Sequence, residues 1–226
     1  MSNAFTLTDS LALGDLHVFL GRAMRVDDGS VRLIGGSGVL AVYVSVLHPA
    51  GLLDESPTVL GLRTFAIASD DTFDAVVPVR SLVMRLEGKL EAANASPEDS
   101  VTISLPMQVN TVTWAAISPP RGGWITLEST DSARLEAAAR AGIDEIAEAI
   151  PTGTGEQIVQ RVRTEVWGRS IDELDFVPAG AAFAAFSLGF LAGDDPVSIY
   201  ETGPWTRLTT RGGHVLIKRR AWSLTR

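Results

Sequence analysis

Arginine and tryptophan stand close together in the segment Ser118-Pro119-Pro120-Arg121-Gly122-Gly123-Trp124. Adjacent prolines remove backbone donors and the glycine pair breaks regular structure, so this segment is predicted to be a loop. Loops on rigid scaffolds carry many binding residues, and arginine and tryptophan are enriched at interface hot spots. We therefore predict that Ser118, Arg121 and Trp124 form a binding site for an anion or a partner protein. The alternative is a packed connection in which Trp124 lies in the core and Arg121 pairs with an acid.

The basic C-terminal segment is a second candidate site. Residues 201–226 carry six Lys or Arg and one acid, a charge of +5, whereas residues 1–200 carry 13 Lys or Arg and 26 acids, a charge of -13. The runs 205–210 and 214–219 flank Arg211-Gly212-Gly213 and predict a β-hairpin. Its candidate nucleic-acid contacts are Arg207, Arg211, Lys218, Arg219 and Arg220. Alternation along the strands distributes these residues over both faces of the hairpin. The alternative to a nucleic-acid site is therefore an edge hairpin whose basic residues prevent edge-to-edge aggregation.

Nucleophilic catalysis finds little support in the residue spacing. The chain has three histidines and lacks both the Gly-x-Ser-x-Gly elbow and a P-loop. The run Gly36-Ser37-Gly38 precedes a β-branched segment and predicts a hairpin turn. An enzyme would need a site assembled from distant polar residues, with His48, Arg63, Arg121 and nearby carboxylates as candidates. The sequence leaves enzymatic activity undecided.

Metal and cofactor sites are not expected. The chain has no cysteine, which excludes disulfides, zinc ribbons and Cys-ligated clusters. Acidic residues cluster at 172–175, but their spacing does not match an EF-hand loop. Solvated loops are the ordinary explanation of such clusters, so no metal ligand is assigned.

Net charge and hydropathy restrict the partners that we expect. The formal charge is -8, and a negative surface repels phosphates, so we expect nucleic acid to be an unlikely partner. No signal peptide and no apolar run of the length that a membrane span needs is predicted. We therefore expect a cytoplasmic protein that does not bind membranes.

The order of the predicted elements indicates an α+β fold with a mostly antiparallel sheet in the N-terminal half, helices at residues 129–192 and a C-terminal β-hairpin. Without regular βαβ alternation, a doubly wound parallel sheet is disfavoured. Residues 1–128 are predicted to be mainly antiparallel β with an N-terminal helix at 7–26, and residues 129–226 to hold the helices and the hairpin. We expect both parts to pack as one domain.

The secondary structure of three further segments can be predicted from their residues. Residues 111–118 are predicted as a strand because they contain β-branched and aromatic side chains. Residues 172–177 are predicted as a short acidic linker. Residues 179–192 follow Pro178 and are apolar nearly all round, which predicts a buried central helix.

Three runs resemble segments of an uncharacterised protein group from high-GC actinobacteria. They are Val26-Asp27-Asp28-Gly29-Ser30-Val31-Arg32-Leu33, Thr58-Val59-Leu60-Gly61-Leu62-Arg63 and Ser118-Pro119-Pro120-Arg121-Gly122-Gly123-Trp124. The resemblance covers about half of the chain. It implies a bacterial, cytoplasmic setting and no particular activity.

Taken together, these features favour a non-enzymatic binding or assembly protein with an unidentified protein partner. Homo-oligomerisation is expected because the aliphatic residues Val42, Val44 and Val46 could bury against a second subunit. The alternatives are an enzyme with a site of scattered polar residues, and a nucleic-acid accessory protein that uses the basic hairpin.

Overall fold

The computed structural model describes residues 3–49, 51, 54, 56–68, 72–92, 99–151 and 153–219. The chain divides into two compact units. The first comprises Met1–Ser45 and Leu62–Ile117, and the second comprises Val46–Gly61 and Ser118–Arg226. Both units combine helices with antiparallel strands, which confirms the α+β prediction. That the two predicted halves pack as one domain stays a prediction.

The first unit contains a sheet whose central strand lies between two antiparallel neighbours. The elements that lie in it wholly or in part are β1 (Ala4–Leu7), α1 (Ser10–Met24), β2 (Ser30–Gly36), β3 (Val39–Leu47), β4 (Thr58–Ala66), β5 (Phe73–Pro78), α2 (Val79–Ala92) and β6 (Val101–Ser104). The end of β3 and the start of β4 belong to the second unit. Strand β2 pairs with β3 on one side and with β5 on the other, and β4 is the next neighbour of β3. Strand β1 pairs with β6 in a separate ladder. Helices α1 and α2 pack against each other.

Local sequence explains the hairpin of β2 and β3. Ser37 and Gly38 have positive φ angles of 52° and 73°, the conformation that a two-residue turn between twisted strands requires. Strand β2 alternates buried and partly exposed positions, with Val31 and Leu33 fully buried. The predicted hairpin is confirmed, and its turn is two residues long.

Helix α1 begins later than the sequence indicated. Its N-cap is Asp9, whose carboxylate accepts a hydrogen bond of 2.7 Å from the backbone N–H of Ala12. This cap satisfies a donor that the first helical turn leaves without a partner. Leu7, the first residue of the predicted helix, is instead the last residue of β1, in which Phe5 and Leu7 are buried.

The second unit contains three helices and a three-stranded meander among its described residues. Its elements are β7 (Ile125–Thr126), β8 (Thr130–Asp131), α3 (Ser132–Ala149), α4 (Glu156–Gly168), β9 (Ser170–Ile171), β10 (Leu174–Pro178), α5 (Ala179–Ser187), β11 (Pro196–Thr202), β12 (Trp205–Thr209) and β13 (His214–Lys218). Strand β12 pairs with β11 and with β13, and both pairings are antiparallel. The edge of β11 that faces away from β12 pairs with β7 and, farther along, with β8.

Helix α5 is the centre of this unit. It packs against α3, α4 and β13, and its small residues Ala181, Ala182, Ala184 and Ala185 are fully buried. The predicted buried helix is confirmed, although it ends at Ser187 and not at Ala192.

Two predicted segments differ from the structure. Residues 111–118 do not form a strand, since the regular secondary structure of this segment is a 3-10 turn at Trp114–Ala116, in which Trp114 is buried. The predicted acidic linker at 172–177 contains β10, which pairs with β9. Glu173 adopts a φ of 61° in the tight turn between these strands, a conformation that sequence reasoning assigns to glycine or asparagine.

The expected aliphatic subunit interface on β3 is wrong. Val42, Val44 and Val46 have relative exposures of 0%, 3% and 6% within their own chain. Alternation on a half-buried strand predicts one apolar face in contact with the core, and these residues occupy that face. They are therefore unavailable to a second subunit.

Among the residues that the structure describes, no helix has the length and apolar character required to cross a membrane.

Candidate functional site

Three strands of the second unit bring polar and aromatic side chains to one sheet face. In the registers of the meander, Tyr200 on β11 lies opposite Arg207 on β12, and Arg207 lies opposite Leu216 on β13. The pairing of β7 with β11 places Thr126 opposite Tyr200. Trp124 precedes Thr126 by two residues and therefore lies close to Tyr200 and Arg207.

The guanidinium of Arg207 contacts two aromatic rings. Its central carbon lies 4.5 Å from the ring centroid of Trp124 and 4.5 Å from that of Tyr200. Such distances allow cation–π attraction to both rings, which fixes the orientation of a planar guanidinium. We refer to these three residues as the Trp124–Arg207–Tyr200 cluster. The indole Nε1 of Trp124 donates a hydrogen bond of 3.2 Å to the carbonyl of Pro120, which fixes the ring to its own loop.

The charge of Arg207 is poorly compensated. Its Nε atom is buried and has no hydrogen-bond partner among the described residues. Burial lowers the pKa of the Arg207 guanidinium from its ordinary value, and the phenol of Tyr200 opposes part of this shift. A buried donor without an acceptor costs free energy, and this cost adds to that of partly burying the positive charge of Arg207.

His214 lies beside the cluster at the start of β13. Its Nδ1 is 3.0 Å from the hydroxyl oxygen of Thr209, its cross-strand neighbour. Burial is the main cause that lowers the pKa of His214 from 6.5, and the positive charge of Arg207 adds to it. The imidazole is therefore held in its neutral form at lower pH than a free histidine.

The structure separates the three residues of the predicted loop site. Trp124 is half-buried and belongs to the cluster, whereas Ser118 and Arg121 are exposed. No carboxylate of the described chain lies within ion-pair distance of Arg121. The assignment of Ser118, Arg121 and Trp124 as a binding site stays a prediction.

The predicted hairpin is confirmed, but its basic residues do not form one surface. Arg219 donates to Glu201 over 3.2 Å and to the carbonyl of Gly203 over 2.7 Å, and Arg211 is 3.7 Å from Asp195. Lys218 is exposed at the end of β13. Arg220 lies outside the described residues. The nucleic-acid assignment of these residues stays a prediction.

Sequence reasoning missed Tyr200 because it assigned no strand to residues 196–202. The signal was present, since Val197 and Ile199 alternate with Ser198 and Tyr200. Period-two alternation of this kind predicts a half-buried strand, and Val197 and Ile199 are indeed fully buried.

The scattered residues proposed for an enzyme have separate surroundings. Arg63, in the first unit, forms an ion pair with Asp15, and its guanidinium carbon is 5.6 Å from the ring of Phe65. His48 and Arg121 belong to the second unit. In the part of the chain that the structure describes, no group of three or more His, Asp or Glu side chains could hold a metal ion.

Solved structures with a similar fold include bacterial DNA polymerase sliding clamps. The DNA polymerase III subunit beta of Borrelia burgdorferi matches with a TM-score of 0.54 at 8% identity, over 99% of this chain and 66% of that one. The DnaN sliding clamp of Bartonella birtlesii gives 0.53 at 11% identity, over 98% and 66%. The sliding clamp of Caulobacter crescentus gives 0.51 at 13% identity, over 99% and 67%. This chain thus resembles the clamp fold and spans about two thirds of the clamp chains.

At the level of sequence, no curated protein matches this chain. Two family models match adjoining parts of it. Residues 1–107 match a domain of unknown function, DUF8010, and residues 119–222 match a second domain of unknown function, DUF8185.

Proposed function

We propose that this protein is a non-enzymatic binding or assembly protein that acts as a homo-oligomer in the bacterial cytoplasm. The observation that carries the proposal is the sliding-clamp-like fold, which extends over 98–99% of the chain. Fold alone does not determine function, so the residues of this chain must support the same reading.

The distribution of reactive side chains supports binding over catalysis. Catalysis of acyl or phosphoryl transfer needs a nucleophile, a base and an electrostatic stabiliser within hydrogen-bond reach of one reacting atom. The guanidinium of Arg63 forms an ion pair with Asp15, and the imidazole of His214 forms a hydrogen bond with the hydroxyl of Thr209. The most distinctive polar feature, the Trp124–Arg207–Tyr200 cluster, has the composition of an interface hot spot.

The names of the similar structures support an assembly. Both are named as the beta subunit of DNA polymerase III, that is, as a component of a larger assembly. We infer that this chain also assembles, with further copies of itself. Its subunit contacts involve surfaces other than Val42, Val44 and Val46, which are buried in the chain itself.

Mass measurement in solution tests this proposal. We expect light scattering after size exclusion, and native mass spectrometry, to give a multiple of the 24.0 kDa chain mass that persists on dilution. A mass of 24.0 kDa at every concentration would contradict the assembly proposal. A small molecule retained by protein purified from its own host would favour an enzyme instead.

A nucleic-acid accessory role is the second candidate, because the similar structures are named as DNA polymerase sliding clamps. The expectation that nucleic acid is an unlikely partner finds no support in these relatives. Lys218 is the exposed basic residue on β13, whereas Arg219 and Arg211 lie close to carboxylates. The net charge of -8 opposes extensive phosphate contact.

Salt dependence distinguishes this role from protein binding. If phosphates are contacted, the affinity for duplex DNA falls steeply between about 50 and 200 mM salt and weakens in the Lys218→Gln variant. Deletion of residues 205–226 is unsuitable as a test, since Leu208 and Val215 on β12 and β13 are core residues. Salt-independent binding, or none, contradicts the nucleic-acid role.

The predicted loop site is tested by double substitution. If Arg121 and Trp124 hold a partner protein, Arg121→Ala combined with Trp124→Ala abolishes its capture while the far-UV circular dichroism stays unchanged. Unchanged capture would reject this loop as the binding site.

A further inference from the structure

Arg207 is a half-buried arginine on β12. Its Nε is buried without an acceptor, and no carboxylate of the described residues lies within ion-pair distance of its guanidinium. Arginines that have a carboxylate within ion-pair distance are Arg32, Arg63, Arg80, Arg134, Arg140, Arg169, Arg211 and Arg219. A half-buried guanidinium that has no carboxylate beside it would be stabilised by an anionic partner.

The sheet face around Arg207 has a positive charge that its own strands do not neutralise. Along β11, β12 and β13, alternation places Ser198, Tyr200, Thr202, Trp205, Arg207, Thr209, His214, Leu216 and Lys218 on this face. The carboxylate of these strands, Glu201, is on the opposite face and pairs with Arg219. Glu128, two residues after Thr126, is exposed and forms no ion pair with Arg207.

Two aromatic rings prepare Arg207 to bind a planar anion. A guanidinium held by ring contacts loses little conformational entropy when it forms two parallel hydrogen bonds to a carboxylate. Cation–π contacts involve the plane of the guanidinium and leave its Nη–H groups, which unlike Nε are not among the buried unpartnered atoms of the described residues, for an acceptor. The rings of Trp124 and Tyr200 also offer apolar area to the residues that flank such an anion.

We propose that the Trp124–Arg207–Tyr200 cluster is a docking site for a carboxylate in an acidic peptide segment of a partner protein. This inference rests on the proposed binding function and specifies the chemistry of its ligand. A peptide is favoured over nucleic acid because the cluster offers one guanidinium for one anion. Phosphate-backbone binding needs several basic side chains along a track, and the neighbouring Arg211 and Arg219 lie close to acids.

The test is an NMR titration of the full chain with an acetylated Gly-Glu-Asp-Glu-Gly amide. We expect shifts of the Trp124 indole, the Arg207 Nε–H and the His214 ring signals. The matched control is the Gly-Gln-Asn-Gln-Gly peptide, which is isosteric and neutral. The Arg207→Met variant should weaken binding about tenfold or more, the loss expected for a charge-assisted hydrogen bond. The Lys218→Met variant, which removes a charge from the same face, should bind within about twofold of the wild type.

Further variants and probes separate the outcomes. If Arg207→Met lowers the melting temperature substantially, Arg207→Lys serves instead, and weakened binding there also supports a fork-shaped contact. Equal binding of the neutral peptide, or unchanged binding by both variants, overturns the proposal. Displacement of the acidic peptide by an oligothymidylate at lower concentration also overturns it and assigns the site to phosphodiesters.

The oligomeric state keeps this inference distinct from the proposed function. Light scattering on the Arg207→Met variant should give the same mass as the wild-type protein. Loss of peptide binding with an unchanged oligomer supports the site. A monomeric wild-type protein that still binds the acidic peptide contradicts the assembly proposal and leaves the docking site supported.

Discussion

Gly142 on α3 lies directly against the indole of Trp167 on α4. A Cβ atom added at Gly142 would be 2.3 Å from Cζ3 of Trp167, well inside van der Waals contact. The indole is 2% exposed and stacks on Phe183 of α5 with ring centroids 4.5 Å apart. A glycine in the interior of a helix is unfavourable by itself, so this one is explained by the close approach of the aromatic ring.

We predict that Gly142→Ala destabilises the second unit by about 1–3 kcal/mol, the cost typical of overpacking a core. Overpacking outweighs the gain of about 1 kcal/mol that alanine brings to a helix interior. Urea unfolding followed by tryptophan fluorescence measures the change. Gly14→Ala on α1 is the control, because a Cβ there would contact nothing within 4 Å and should stabilise its own unit. A neutral Gly142→Ala variant would contradict the packing described.

Arg32 joins two parts of the first unit, and its removal should be costly. Its Nε and Nη2 donate to the carboxylate of Asp74 over 2.9 and 2.6 Å, and its Nη1 donates to the carbonyl of Ala115 over 2.7 Å. The Arg32 side chain is 13% exposed. We predict that Arg32→Met costs about 1–3 kcal/mol of unfolding free energy, as expected for charged hydrogen bonds in a partly buried site.

The matched control for Arg32 is the exposed pair of Arg80 and Asp28. Their side chains are 68% and 65% exposed, and their atoms are 3.1 Å apart. Exposed ion pairs contribute about 0–1 kcal/mol, so Arg80→Met should change the urea midpoint little. Similar losses for both variants would indicate that Arg32 has no special structural role.

Sequence periodicity predicted the hairpins and the long helices because their side chains alternate or repeat within one short window. The turn at Ser37 and Gly38, the N-terminal helix α1 and the buried α5 are of this kind. Strand β10 escaped prediction because acidic residues at 172, 173 and 175 read as a linker. Its pairing depends on Glu173 in a conformation that glycine usually supplies.

The candidate site could be predicted only in fragments. Trp124 and Arg207 were each identified from composition, but they are 83 positions apart, and residue order alone carries no measure of their distance in space. The contact depends on β7 pairing with β11, and β11 was not recognised as a strand. A site that arises from strand register between distant segments has no one-dimensional pattern, whereas a motif within one turn does.

The lowered pKa of His214 predicts how the free energy of unfolding changes with pH. Its folded-state pKa is lowered, chiefly by burial, so below pH 6.5 the unfolded chain takes up a proton that the folded chain resists. Unfolding free energy should therefore fall as pH drops through 6.5, and it should fall less in His214→Asn. Urea unfolding at about pH 7.5 and pH 5.5 measures this difference. His17→Gln controls for the loss of an imidazole elsewhere in the chain, and an unchanged pH slope in His214→Asn would contradict the prediction.

Charge coupling between Arg207 and His214 gives the last prediction. Arg207 is the second cause, after burial, that lowers the pKa of His214. Removal of the positive charge in Arg207→Met should therefore raise the His214 pKa toward 6.5, while burial keeps it below that value. An NMR titration of the imidazole ring signals measures the pKa directly. Lys218→Met is the control, because Lys218 is exposed and is not among the causes of the shift.

The same titration distinguishes coupling through charge from coupling through packing. Arg207→Lys keeps the charge and changes the shape, so it should leave the His214 pKa near the wild-type value. If Arg207→Lys raises the pKa as much as Arg207→Met does, the guanidinium acts by excluding water from the imidazole. If neither variant changes it, the charge of Arg207 does not act on His214. A carboxylate docked on Arg207 should raise the His214 pKa in the wild-type protein and leave it unchanged in Arg207→Met, because a neutralised guanidinium no longer opposes protonation of the ring.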